Sequence, residues 1–261
     1  MRDKPCPPNG VQAALIALTR STFLKGGVTR KAMADLVRSA GPGVIDTVFR
    51  GARFRVHLGD NLTERNLLLD PRTEREELDF LIAATPPGGV FVDCGANIGM
   101  YALVVAAARP LARILAIEPV PLIGERLQTN LALCGFANVA ICPQAAGDEE
   151  GEIAFIRDTH NLGESHIDPA GTLKVPVRPL AAILRSHGIA AVDSLKIDIE
   201  GYEDRALAPF FRDWPQAGWP RALVFEHVHP DQWRTDCMAL LQNLGYRSQG
   251  VTEYNTLLRR E

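Results

Sequence analysis

The segment at residues 93–99, Asp93-Cys-Gly-Ala-Asn-Ile-Gly99, combines one carboxylate with two glycines. Glycine at positions 95 and 99 would let the backbone approach a ligand and let a following helix pack tightly. The spacing differs from the Gly-x-Gly-x-x-Gly pattern of dinucleotide-binding proteins. A carboxylate directly before the loop would repel a pyrophosphate at the helix N-terminus. We therefore expect the loop to bind a ligand that carries a positive charge.

A second carboxylate, Glu118, lies 25 positions after Asp93, in the sequence Ala116-Ile-Glu-Pro119. An acidic side chain at the end of the second strand of a nucleoside-binding sheet accepts hydrogen bonds from the ribose hydroxyls. S-adenosylmethionine has a ribose, an ammonium group and a sulfonium group, and its carboxylate can still use the helix N-terminus. The two acids together predict a nucleoside-binding site, and S-adenosyl-L-methionine is a ligand that fits both.

Candidate catalytic groups follow two later predicted strands. A nucleophile attacks a sulfonium carbon by in-line displacement, and a hydroxyl nucleophile would need a base within hydrogen-bond reach of its proton. Asp198 is the first choice for this base or for an acid that orients the substrate. Glu200 is a second candidate, although it could instead cap the next helix. His227 could act as a base or contact the substrate, or it could be a polar loop histidine with no catalytic or binding role.

A metal site is a further possibility at the same place, because Glu226 and His227 could combine with Asp198. Magnesium prefers oxygen ligands, and the sequence Glu226-His-Val-His229 offers two histidines. We therefore predict no metal.

The elements that must position these residues alternate, from position 90 onward, between short apolar strands and helices with apolar periodicity. Strands are predicted at 90–93, 114–118, 139–142, 194–198 and 222–226, and helices at about 98–108, 121–134, 201–207 and 231–244. Strands that are apolar throughout are covered on both faces, so the sheet should be mainly parallel. The predicted fold class is therefore a doubly wound α/β fold.

An N-terminal extension is predicted at residues 1–70, as a cap on the acceptor side that contains helices and a β-hairpin. Within it, residues 1–50 are expected to be helical, and residues 52–58 alternate between apolar and polar side chains like a half-buried strand. Thr73 and Glu76 then have the spacing of a capping box, which predicts that a helix begins at Thr73.

The remaining residues, 71–261, are predicted to form one catalytic domain with an insert at 143–191. Two short apolar-alternating segments of the insert, 152–156 and 174–178, are expected to pair as a hairpin.

Four segments resemble the motifs of the FkbM-type S-adenosylmethionine-dependent methyltransferase family, in the family's order: 91–99, 117–119, 145–148 and 195–203. The resemblance covers about residues 70–230. It implies a class I methyltransferase (Rossmann-like) fold with a mainly parallel seven-stranded sheet, and S-adenosyl-L-methionine as the cofactor. It also implies O-methylation of a hydroxyl on a sugar, a glycolipid or polysaccharide, or a natural product.

The resemblance also assigns roles to single residues. The cofactor-binding residues that it implies are Glu74, Asp93, Gly95, Ala96, Asn97, Gly99, Glu118, Pro119, Ala145 and Ala146. Glu74 could equally be an exposed acid in the first turn of a helix. Asn161 and Ser165 in the insert resemble the family pattern and are candidate acceptor contacts, or they could belong to a solvated loop.

Composition excludes several other classes of protein. Lys and Arg number 28 against 31 Asp and Glu, a net charge of -3, which argues against affinity for a nucleic acid backbone. The five cysteines form no Cys-x-x-Cys pair, as expected for reduced thiols in the cytoplasm. The most apolar run, residues 100–108, is about half the length of a membrane span. The expected partner is a small-molecule or saccharide acceptor. Alternatives are a cofactor-binding scaffold that transfers no methyl group and a methyltransferase that acts on nitrogen.

Overall fold

The computed structural model of the protein describes residues 4–25, 27–156, 166–167 and 170–261. The first elements are α1 (Gly10–Ser21), α2 (Gly27–Ser39), β1 (Val44–Phe49), β2 (Ala52–His57) and α3 (Leu62–Leu69). The elements that follow are α4 (Arg75–Ala84), β3 (Val90–Cys94), α5 (Met100–Ala108), β4 (Arg113–Ile117), α6 (Pro121–Cys134), β5 (Val139–Cys142), β6 (Ala145–Gly147), β7 (Gly151–Ile156), β8 (His166–Ile167), β9 (Leu173–Pro179), α7 (Leu180–Ser186), β10 (Ser194–Ile197), α8 (Glu203–Asp213), β11 (Ala222–Glu226), α9 (Cys237–Asn243), β12 (Tyr246–Val251) and β13 (Asn255–Arg260).

Seven of these strands form one sheet with the order β12-β13-β11-β10-β3-β4-β5. Neighbouring strands from β11 to β5 pair in parallel, whereas β13 is antiparallel to both β11 and β12. This mixed, mostly parallel sheet is that of the class I methyltransferase fold, so the predicted fold class is confirmed. All five strands predicted from the sequence are present, and each observed boundary lies within one residue of its prediction.

Helices cover both faces of the sheet, because successive residues of a strand point to opposite sides. In β3, Phe91 belongs to one buried apolar cluster and Val92 to the other; in β4, Ile114 and Leu115 divide in the same way. The first cluster also contains apolar side chains of α1, α2, α3 and the β1–β2 hairpin. The N-terminal elements therefore share a core with the sheet. No helix in the described ranges is both long and apolar enough to cross a membrane.

Strand β1 corrects the sequence prediction of helix up to residue 50. Its Ile45 pairs with Val56 of β2. The turn between the two strands is formed by Arg50 and Gly51, whose φ angles are 46° and 90°. Positive φ at both turn residues is typical of tight hairpins. The β-branched residues of β1 favour a paired strand over a helix, because their side chains pack well on the surface of a sheet.

Helix α4 begins at Arg75, and the capping box predicted at Thr73 and Glu76 does not form. Glu74 precedes the helix in a left-handed conformation, φ 49°, and makes no side-chain cap. Its Oε2 accepts a hydrogen bond of 2.6 Å from the hydroxyl of Tyr101 instead. A tertiary contact has therefore replaced the local cap that the spacing predicts.

Helices α8 and α9 also differ from their predicted ranges. α8 continues beyond residue 207 because Phe210 and Phe211 in its last turns are buried in the second apolar cluster. α9 begins only at Cys237, since Pro230 starts a separate short 3-10 turn.

The insert contributes a second, four-stranded sheet with the order β6-β9-β7-β8. The predicted hairpin pairing is confirmed: β7 and β9 are antiparallel, with Ile153 opposite Val175. β6 pairs in parallel with β9 and carries Ala145 and Ala146. The insert thus places these two alanines beside the carboxyl edge of the large sheet.

A buried ion network joins the N-terminal elements to α6. Arg126 of α6 donates two hydrogen bonds of 2.8 Å to Asp60 and one of 2.8 Å to Glu64 of α3. The side chain of Glu64 is fully buried, and His57 lies 3.1 Å from its Oε1. Burial raises the pKa of Glu64. The hydrogen bond with His57 and the positive charge of Arg126 together compensate a carboxylate that has no access to water.

Replacing Arg126 by Ala leaves Glu64 buried without its cationic partner, which costs about 3 kcal/mol in comparable pairs. We expect Arg126→Ala to lower the free energy of unfolding by about that amount in urea denaturation. Arg178→Ala removes an exposed ion pair with Glu150 and should cost less than about 1 kcal/mol. Equal losses in the two variants would contradict the role given to Arg126.

Candidate functional site

A cavity of about 660 Å³ opens at the carboxyl edge of the parallel strands. Its volume lies in the range of small-molecule binding sites, roughly 300–1,000 Å³. The residues predicted from the sequence that line it are Glu74, Gly95, Ala96, Asn97, Glu118, Pro119, Ala145, Ala146, Asp198 and Glu200. The structure does not place Asp93, Gly99 or His227 among the lining residues. Asn161 and Ser165 lie outside the described residues.

Glu118 follows β4 and lies between two backbone N–H groups. Its Oε1 accepts a hydrogen bond of 2.8 Å from the N–H of Val120, and its Oε2 accepts one of 2.8 Å from the N–H of Asn97. Each carboxylate oxygen can accept a second hydrogen bond. Burial raises the pKa of Glu118 to about 7. The carboxylate is therefore held in a fixed orientation at the cavity, with capacity left for two hydroxyl donors.

The two glycines of the loop are required by the protein itself. Gly95 has φ +80°, and a Cβ there would collide with the carbonyl oxygen of Asp198. Gly99 has φ +90°, and a Cβ there would collide with the side chain of Leu127 on α6. The sequence interpretation that Gly95 serves ligand approach is thus incomplete, because close packing of two chain segments demands glycine first.

Asp93 lies beneath the loop rather than on the cavity wall. Its side chain is fully buried, and its Oδ2 accepts a hydrogen bond of 2.9 Å from the N–H of Ala102 in α5. Its Oδ1 has no hydrogen-bond partner in the described part of the chain and lies 3.9 Å from Nζ of Lys196. Burial raises the pKa of Asp93 to about 6. Asp93 therefore holds the loop against the start of α5. It does not contact the cavity directly but lies beside Lys196, which lines it.

Lys196 was missed by the sequence reasoning. It is 3% exposed, and its Nζ donates to the carbonyl oxygen of Gly95 at 2.9 Å and to Oδ2 of Asp198 at 3.1 Å. Burial opposes its positive charge, but the carboxylates of Asp198 and Asp93 outweigh that effect and raise its pKa. A lysine inside the apolar strand Ser194-Leu-Lys-Ile197 is the signal that could have found it, because a strand buried on both faces rarely carries one.

Carboxylates gather at the far end of the cavity, which we call the acidic end and define as Asp198, Glu200, Glu226 and His229. Burial, reinforced by the negative charges of Asp198 and Glu200, raises the pKa of Glu226 far above its usual range. Nε2 of His229 lies 3.3 Å from Oε2 of Glu200.

Glu200 does not cap the helix that follows it; Glu203 accepts the hydrogen bonds at this turn instead. The N–H groups of Ile199 and Gly201 donate to Oε1 of Glu203, at 2.9 and 3.3 Å. Glu200 itself has a left-handed backbone, φ 56°, and faces the cavity.

His227 is turned away from the cavity, so the structure does not bring this predicted catalytic residue to Asp198. Its Nδ1 lies 3.0 Å from the hydroxyl of Thr256, and its N–H donates to the carbonyl oxygen of Tyr254. Glu226 and His227 occupy successive positions and point to opposite sides of the chain, so Glu226 faces the cavity and His227 does not. His229 takes the place that the sequence assigned to His227.

Residues outside the motifs complete the walls. Tyr101 and Glu74 face the cavity together, so Glu74 is a lining residue and not an exposed acid. Leu62, Thr63 and Asn66 bring α3 of the N-terminal region to the same cavity. No motif predicts these contacts, because they depend on how α3 packs against the sheet.

Comparison with known proteins agrees with this architecture. The model of the methyltransferase FkbM domain family matches residues 93–248, more than half of the chain. Methyltransferase sdnD of Sordaria araneosa is 29% identical, over 63% of this chain and 76% of that protein. The 31-O-demethyl-FK506 methyltransferase FkbM of Streptomyces tacrolimicus is also 29% identical, over 61% of this chain and 73% of its own length.

A shorter match reaches higher identity. The AMB antimetabolite synthetase AmbE of Pseudomonas aeruginosa is 48% identical over 47% of this chain, which corresponds to 8% of that much longer protein. The chain belongs to the methyltransferase FkbM domain family and is an S-adenosyl-L-methionine-dependent methyltransferase.

Proposed function

We propose that the protein transfers the methyl group of S-adenosyl-L-methionine to a hydroxyl oxygen of a small natural-product acceptor. The observation that carries the proposal is the position of Asp198. Its carboxylate is 32% exposed, faces the same cavity as Glu118, and is held by Lys196 at 3.1 Å. A single cavity would thus provide Glu118 for the nucleoside of the cofactor and Asp198 as the proton acceptor.

The cofactor is proposed to lie between the glycine loop and the insert. Glu118 would accept hydrogen bonds from the two ribose hydroxyls with the lone pairs that Asn97 and Val120 leave. Ala145 and Ala146 would lie against the adenine, because both are small, buried and on the cavity wall. These roles agree with those that the family resemblance implies.

The charge of the cavity suits a sulfonium. Among the described lining residues, the acids Glu74, Glu118, Asp198, Glu200 and Glu226 face one lysine and one histidine. A cation bound there is attracted by this excess of carboxylates, and the low dielectric of a closed site strengthens the attraction. A bound anion such as a pyrophosphate would be repelled, which agrees with the absence of a Gly-x-Gly-x-x-Gly loop.

Asp198 is proposed as the group that accepts the hydroxyl proton as the oxygen attacks the methyl carbon. Lys196 fixes the direction of its carboxylate, so the acceptor meets an oriented base rather than a mobile one. The name of the Streptomyces relative specifies an O-methylated product, which supports oxygen as the site of transfer. The same acidic end could hold an amine, and the experiments below separate the two cases.

Cofactor affinity should depend on the ionisation of Glu118. Since its pKa in the free protein is about 7 and ribose hydroxyls need an acceptor, the ionised form should bind S-adenosylhomocysteine more tightly. We expect the affinity to rise about tenfold between about pH 6 and about pH 8, as the ionised fraction rises. Isothermal titration calorimetry at a series of pH values measures this affinity for S-adenosylhomocysteine.

Glu118→Gln should bind S-adenosylhomocysteine weakly and without this pH dependence, because an amide does not ionise in that range. Glu125→Gln, an exposed substitution on α6, is the matched control and should behave as wild type. Unchanged affinity in Glu118→Gln would remove Glu118 from the cofactor site.

Methyl transfer should depend on Asp198. Asp198→Asn keeps the shape of the side chain but removes the proton acceptor, so we expect normal binding of S-adenosylhomocysteine and turnover reduced at least about 100-fold. The assay is mass spectrometry of a panel of paired hydroxyl and amine compounds, including 31-O-demethyl-FK506, with the methylated atom located by NMR.

Asp213→Asn at the exposed end of α8 is the control and should retain full turnover. Wild-type turnover in Asp198→Asn would exclude Asp198 as the base. Methylation on nitrogen alone would contradict the proposed acceptor class, and cofactor binding without transfer to any compound would favour a scaffold.

A further inference from the structure

Three side chains with metal-binding atoms converge at the acidic end of the cavity. They are Glu200 after β10, Glu226 at the end of β11, and His229 three residues later. One ligand atom from each lies within 4.8 Å of the other two. Ligands about 2.1 Å from a single ion are about 3 to 4.2 Å apart, so a small rotation of the half-buried Glu200 side chain would bring the set to bonding distance.

A second observation points to a bound ligand at the same place. Glu226 is 7% exposed, and its Oε2 has no hydrogen-bond donor in the described part of the chain. Asn255 lies directly opposite Glu226 in the β11–β13 pairing, is 4% exposed, and its Oδ1 also lacks a described partner. Buried oxygens are almost always satisfied. Two adjacent ones without donors, both on the cavity wall, indicate a site for a cation.

The nearest ammonium group does not meet this need. Lys196 donates to Asp198 and to the carbonyl oxygen of Gly95. Glu200 contacts His229, whose imidazole is a metal ligand when neutral. A divalent ion would use both carboxylates and the imidazole together, whereas an ammonium group would leave the imidazole unused as a ligand.

We propose that Glu200, Glu226 and His229 bind a divalent transition metal ion, with the side-chain oxygen of Asn255 beside it. Two carboxylates and one imidazole favour Mn²⁺ or Zn²⁺ over Mg²⁺ or Ca²⁺, which prefer oxygen ligands alone. This proposal differs from the sequence-based prediction of no metal, in which His227 was the histidine considered. The ligand that the sequence did not combine with Glu226 is Glu200.

The position of the ion gives it a role beside Asp198. A metal-bound hydroxyl loses its proton more readily than a free one, so an acceptor oxygen held there would meet both the ion and the Asp198 carboxylate. This role rests on the proposed function, whereas metal binding itself does not require methyl transfer.

Electron paramagnetic resonance of Mn²⁺ tests the site directly, because bound Mn²⁺ loses the sharp signal of the free ion. The full chain is treated with EDTA, dialysed and titrated with MnCl₂ without any methyl donor. We expect one saturable site per chain. Glu226→Gln and His229→Gln should each weaken it at least about tenfold, with normal binding of S-adenosylhomocysteine as the check on folding.

Glu125→Gln and His187→Gln, on other faces of the molecule, are the controls and should bind Mn²⁺ as wild type does. No saturable site, or a site that survives both Glu226→Gln and His229→Gln, would overturn the proposal. Mn²⁺ binding without methylation of any hydroxyl compound would contradict the proposed function alone. Methylation without a saturable Mn²⁺ site would contradict the metal proposal alone.

Discussion

A buried ammonium group holds the site together. Lys196 lies on the central strand β10 and joins the end of its own strand to the distant glycine loop: its Nζ donates to Asp198 just after β10 and to the carbonyl oxygen of Gly95 in the loop, and it lies 3.9 Å from the buried Asp93 at the start of that loop. An unpaired lysine at this depth would be strongly disfavoured. The arrangement is stable only while the carboxylates stay in place, so this one charge fixes the position of Asp198 relative to the glycine loop.

The close approach of the loop to β10 follows from the same contact. Gly95 can lie against the Asp198 carbonyl because it has no side chain, and that approach puts its own carbonyl within reach of Lys196. The network of Arg126, Asp60 and Glu64 attaches the N-terminal elements to α6. Those elements then bring α3 to the cavity wall, where Leu62 and Asn66 complete a surface that the family motifs do not include.

Features that depend on local sequence pattern, such as strands and the type of sheet, could be predicted from the sequence. Features that depend on tertiary packing, such as the direction of single side chains, could not. Five strands, the mainly parallel sheet and the position of Glu118 follow from apolar runs and spacing, and all are present. The side of the chain on which Asp93 and His227 point does not follow from spacing, and both residues turn away from the cavity. The lysine within the apolar strand β10 signals a buried charge at position 196, but its partners Gly95 and Asp93 follow only from the pairing of β10 with β3. The cap at Thr73 failed because Glu74 bonds to Tyr101, 27 positions away.

A crystal structure of the complex with S-adenosylhomocysteine tests the central claim, that one cavity binds the cofactor at Glu118 and presents its sulfur to Asp198. We expect both ribose hydroxyls within about 3 Å of the Glu118 carboxylate, the adenine against Ala145 and Ala146, and the sulfur facing the acidic end. Electron density for the ligand in any other place, or with the sulfur turned away from Asp198, would contradict it.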